Sequence, residues 1–204
     1  MTAQQGDLEL AVQYYRESLT AACQSELEES IAQRILAYNN LAYHLHLLNE
    51  PTASDYARSG LELAKEKGVM ALQAYLQSTL GEIALADDLF DEAENYFNSG
   101  MQIAESFGIK ERIAGLTANL GLVAIKQNQT SLAIYRLSKA LGLADSLGTR
   151  HLSAQIRIWL APYLPREQAL RHLAEARGLV ESSGRQRLLD EVNRLENLIN
   201  DQQT

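Results

Sequence analysis

The residues with chemistry for catalysis or metal binding in this 204-residue chain are four histidines, one cysteine and a short acidic run. His44 and His46 stand two apart, a spacing that sends them to different sides of a helix, so they do not chelate one metal together. His151 and His172 join no Cys/His pair at a plausible ligand spacing, and there is no HExxH, GxSxG or phosphate-binding glycine loop. Asp87, Asp88, Asp91, Glu92 and Glu94 lack the ligand alternation and central glycine of an EF-hand loop and read as a solvated turn. The lone Cys23 excludes an internal disulfide and any CxxC motif; on an apolar helix a single thiol is expected to be a small buried hydrophobe. No catalytic residue, metal site or cofactor is expected, and the chain reads as a non-enzyme.

The elements that carry these residues follow from composition. Leu (34) and Ala (27) dominate, against 5 Val, 11 Ile and 8 Thr, with only 12 Gly and 3 Pro. Strong helix formers in that excess, with few β-branched residues, predict an all-α chain. Charged residues interrupt every apolar run before 18 residues and no signal sequence opens the chain, which predicts a cytoplasmic protein without membrane contact. For that reason the Asn128-Gln129-Thr130 sequon is discounted. The net charge of −8 argues against direct nucleic-acid binding. That charge is uneven: residues 1–108 hold 17 acids and 5 bases (−12), and residues 109–204 hold 9 acids and 13 bases (+4).

Two registers repeat along the chain. Gly68, Gly108, Gly148 and Gly184 recur at steps of 40, 40 and 36, each preceded at four residues by Ala64, Ala104, Ala144 or Val180. Leu41-Ala42, Leu80-Gly81, Leu120-Gly121 and Leu160-Ala161 recur at steps of 39, 40 and 40. Apolar residues at helical spacing give each unit two helices, with the periodic glycines as C-caps and small residues where paired helices approach. One such hairpin cannot bury its apolar face, so the units are expected to stack as a solenoid.

This pattern resembles the tetratricopeptide repeat (TPR), which sets Leu-Gly on its first helix and Ala, Phe, Ala on its second. Leu80-Gly81 and Leu120-Gly121 match the former; Ala53, Ala93, Ala133, Ala169 and Phe97 match the latter. A period near 40 rather than 34 is similar to the long-repeat branch of bacterial signalling proteins and kinesin light chains. The resemblance implies a right-handed superhelical solenoid of antiparallel hairpins as a single domain: a second helix over 7–27, full repeats at 29–68, 69–108 and 109–148, a shortened repeat at 149–184 and a capping helix at 185–202. Gln4–Asp7 reads as the turn into that first helix, whose apolar stripe would be partly uncovered. The expectation is a fragment of a longer regulatory protein or a homodimer through that helix. Pro162 and Pro165 shorten the last repeat.

By the same resemblance, groove residues lie five, two and one before the repeat Leu and two and five after it. This selects Asn39, Asn40, Tyr43, His46, Tyr75, Ser78, Glu82, Asn119 and Leu122 as the peptide-binding groove, with Leu36, Thr79, Leu85, Gly115, Ala118, Ile125, Gln155, Ile158 and Trp159 at equivalent places. None is Lys or Arg, which argues against capture of a terminal carboxylate. Asn holds a peptide backbone with donor and acceptor together, although Asn40 and Asn119 equally suit bonds between helices; Trp159 suits core packing. The partner is expected to be a protein or peptide. A structural spacer or dimerisation arm is the alternative.

Overall fold

A computed structural model of the chain describes residues 8–24, 28–181 and 185–201. Among these residues it is all-α: α1 Leu8–Cys23, α2 Glu28–Leu47, α3 Ala53–Glu66, α4 Met70–Ala86, α5 Phe90–Ser106, α6 Lys110–Lys126, α7 Thr130–Ser146, α8 Arg150–Leu160, α9 Arg166–Val180 and α10 Gln186–Asp201, with a 3-10 turn at Ala161–Tyr163. The chain divides into two compact units, one running to Arg112 and one from Ile113 onward.

Helix ends are the most regular feature. Gly68, Gly108 and Gly148 have φ of 68°, 64° and 67°, as their expected role as C-caps requires. Gly184 and the Gln4–Asp7 turn lie outside the described residues. After α3, the Gly68 amide donates to the Lys65 carbonyl at 3.2 Å and the Val69 amide to the Ala64 carbonyl at 2.9 Å. This crossed pair satisfies two carbonyls that the helix end would otherwise leave open. The same pair closes α2, α4 and α6 around an Asn or Asp. Asn49, Asp88 and Asn128 take φ of 57°, 58° and 59° after α2, α4 and α6. There Asp88 donates to Leu85 at 3.2 Å and Leu89 to Ala84 at 2.9 Å. Short polar side chains tolerate this left-handed conformation better than others do. Asp91 and Glu92 then fall in the first turn of α5, facing its positive end.

In the first unit, Val12 of α1 packs with Leu41, Leu45 and Ala53, flanked by Tyr15 and Leu19. Ile35, Ala42, Ala57, Leu61, Ala64, Leu76 and Leu80 form the adjoining core of α2, α3 and α4. Small residues sit where the backbones close up. A Cβ on Gly81 would stand 2.6 Å from Cδ1 of the fully buried Phe97, and one on Gly60 2.8 Å from both Leu76 Cδ2 and Tyr38 Cβ. Cys23 departs from expectation: it ends α1 as an exposed free thiol, because the buried positions of that helix are Ala11, Val12 and Ala22.

In the second unit, Ala118, Leu137, Ala140, Leu141, Ala144, Ile156 and Leu160 form one core, with Trp159 packed partly buried against it. Gly121 repeats the close approach, a Cβ there standing 2.8 Å from Leu137 Cγ. α8 stops after 11 residues, and Pro162 lies in the 3-10 turn that replaces its continuation. A cleft of about 320 Å³ opens beside Pro162, floored by Ala161, Ala169 and Leu195. Val192 and Leu195 of α10 form a second core with Ala154 and Ile158 of α8 and Ala169, Leu173, Ala176 and Val180 of α9. Arg177 ties the two helices at the surface, donating to Asn193 Oδ1 at 2.7 Å and Glu196 Oε2 at 2.6 Å.

Candidate functional site

Helical periodicity turns apolar residues of α2 and α4 into the core and leaves a polar strip beside it. Thr79 Oγ1 of α4 donates to Asn39 Oδ1 of α2 at 2.9 Å, and Asn39 Nδ2 reaches Asn40 Oδ1 at the outer limit of 3.5 Å. One turn further, the Nδ1–H of buried His44 donates to the Asn40 carbonyl at 2.7 Å, which fixes the proton on that nitrogen because a carbonyl only accepts. Tyr43 stands edge-on to His44, ring centroids 5.4 Å apart, and is 37% exposed. His46 occupies the last turn of α2, partly buried.

On α4, Ser78 Oγ donates to Glu82 Oε1 at 3.1 Å. Tyr75, one turn earlier, lies under a residue outside the expected groove register: the Arg112 guanidinium, in the first turn of α6, is centred 4.1 Å above the Tyr75 ring. Its Nη1 reaches Ser78 Oγ at 3.5 Å, while its buried Nε–H has no acceptor among the described residues. Arg112 thus caps Ser78, which is only 1% exposed and holds the two charged groups from beneath. The structure therefore joins Asn39, Asn40 and Thr79 in one group and Tyr75, Ser78, Glu82 and Arg112 in another. Tyr43 and His46 extend the first group along α2.

Asn119 and Leu122 lie on α6 in the second unit, Asn119 8% exposed and Leu122 partly buried. Among the equivalent positions, Leu85, Ala118 and Ile158 are core residues at 9%, 0% and 2% exposure. The register thus selects helix faces without separating surface from core.

A second polar group braces the second unit. Arg157 of α8 donates to both carboxylate oxygens of Asp145 in α7, each at 3.0 Å, and to Glu175 of α9 at 2.8 Å. Ser153 adds a bond of 2.6 Å to Asp145. Burial works to raise the Asp145 pKa, but the hydrogen bonds from Arg157 and Ser153 and the guanidinium charge outweigh it and hold the carboxyl below its ordinary value. Burial first, and then the Arg157 charge, lower the His172 pKa, favouring a neutral imidazole. Among the described residues no group of three or more His, Cys, Asp or Glu is placed to hold a metal ion. No described helix is long and apolar enough to cross a membrane.

No protein-family model matches the chain, and no curated protein matches its sequence. Solved structures do resemble it. RapI in its apo form superposes with a TM-score of 0.70 at 18% identity, over 98% of this chain and 79% of that one. BtubC (BKLC) from P. vanneervenii gives 0.68 at 14% identity, over 95% and 92%. The nearly identical TPR-like repeats assigned to a kinesin light chain of Podosopora anserina give 0.56 at 14% identity, over 96% and 90%. At these identities the likeness is one of architecture: the chain has the all-α, TPR-like helical-repeat fold.

Proposed function

We propose that the chain is a non-enzymatic protein-interaction module whose first unit binds a peptide segment, or another protein domain, along the polar strip of α2 and α4. The observation that carries this reading is the arrangement of Asn39, Thr79, Tyr75, Ser78, Glu82 and Arg112. Directional donors and acceptors from several helices are held there by one another and flanked by the exposed Tyr43. Ser78 and Thr79 are buried and hold the partly exposed Asn39, Glu82 and Arg112 from beneath, so these side chains lose little freedom when a partner arrives. The TPR-like fold of RapI, BtubC and the kinesin light chain repeats agrees with a scaffold role. Asn119 and Leu122 of α6 lie in the second unit and are proposed as binding residues of that unit by itself. The test combines Asn39→Ala, Tyr43→Ala and Glu82→Ala: the triple variant should lose proteins that the parent chain retains from lysate while keeping its helicity. Equal retention would sink the proposal.

A second reading rests on α1, where Leu10 and Tyr14 are 44% and 62% exposed. Such a face suits a homodimerisation arm, with the module acting as a spacer. Sedimentation over a hundredfold concentration range separates the two readings, because only the arm predicts a mass that doubles on concentration.

A further inference from the structure

We infer that the corner formed by Arg112, Tyr75 and Ser78 is a subsite for one carboxylate side chain, an Asp or Glu within the bound segment. This rests on the peptide-binding reading above and adds to it the chemistry of one contact. Arg112 forms no ion pair with a described carboxylate, and its nearest acceptor, Ser78 Oγ, is a long 3.5 Å away. The Nε–H is buried without an acceptor among the described residues, so a ligand meets the guanidinium at its paired Nη groups. A half-buried guanidinium has shed part of its water and has not regained those bonds from protein, and burying a donor without a partner is costly. Stacking on the Tyr75 face holds the planar group in one orientation. A carboxylate suits a planar fork of this kind, because two parallel N–H groups meet its two oxygens.

Glu82 marks the limit of the subsite. Its carboxylate already accepts from Ser78 Oγ at 3.1 Å, so a second carboxylate is favoured beside Arg112 and opposed one turn further along α4. The acidic surplus of residues 1–108, 17 acids to 5 bases, adds longer-range repulsion of a strongly acidic segment. The fitting ligand therefore carries a single acid among neutral or basic residues.

The test selects displayed random 12-residue peptides on the full chain, then measures the best binder as a synthetic peptide beside a copy with its acid changed to the amide. The selected set should share one Asp or Glu at a fixed position, and the amide copy should bind about tenfold more weakly. On Arg112→Gln the two copies should bind alike, while Arg112→Lys, which keeps the charge but not the fork, should give an intermediate ratio. Equal binding of acid and amide copies to the parent chain overturns the subsite but leaves the peptide reading standing, whether or not the variants fold. Persistence of the acid preference on folded Arg112→Gln also overturns it. A selection that enriches no peptide overturns both.

Discussion

Thr79 Oγ1 and Asn39 Oδ1 meet at 2.9 Å across 40 residues of sequence, one full period of the chain. The repeat thus has a direct physical counterpart: a residue of one even-numbered helix bonds its neighbour in the next, beside the core shared by α2, α3 and α4. Thr79 is only 4% exposed, so Thr79→Val keeps the shape, removes the donor and leaves Asn39 short of a partner. The expected loss is about 1 kcal/mol, read as a lower urea midpoint at unchanged helicity.

Glycines inside the helices divide into two kinds. Gly81→Ala drives a methyl group into the Phe97 ring and is expected to cost roughly 1–3 kcal/mol, with Phe97→Leu in the same chain restoring much of it. Gly142, inside α7, has nothing within 4 Å of where a Cβ would stand. Gly142→Ala is therefore expected to stabilise the protein by roughly 0.5–1 kcal/mol. Thermal melting of the two variants should move in opposite directions.

The capping residues are constrained in another way. Gly108→Ala meets no neighbour, yet forces a side chain into φ of 64° and should cost roughly 1 kcal/mol. Asn128→Gly relieves the same conformation and should be neutral or slightly stabilising. A loss of stability in Asn128→Gly would show that the Asn side chain itself makes an essential bond.

The Asp145 carboxyl titrates below its ordinary value of 3.8. A depressed folded-state pKa adds stability above the unfolded value, and that stability is lost as pH falls through the folded value. The parent chain should therefore lose urea resistance below about pH 5 more steeply than Asp145→Asn, which has no such carboxylate to protonate. Parallel pH profiles for the two proteins would show that the brace between α7, α8 and α9 contributes nothing at acid pH.

The all-α fold, the glycine caps and the close approaches at Gly81 and Gly121 were legible in the sequence, because each depends on residue type at a fixed spacing. Asn49, Asp88 and Asn128 were harder to read as caps. Short polar residues serve equally as turns and helix starts, and only the positive φ separates these roles. Cys23 misled because a small apolar residue type says little about which side of a helix faces the core. Arg112 escaped notice because it stands eight residues before Leu120, one turn beyond the groove register. Its place over Tyr75 is a contact between residues 37 apart in sequence, which no local spacing reveals.

The crossed hydrogen bonds at the helix ends have a consequence for how such a chain changes length. The Gly68 and Gly108 turns share backbone geometry, and the residue after each, Val69 or Ile109, donates to an alanine carbonyl five residues back at 2.9 and 2.8 Å. Removing residues 69–108 would therefore join Gly68 to Ile109 through a junction that both natural neighbours already use. A gene encoding such turns can gain or lose whole periods by recombination anywhere within them, with no new loop to be invented.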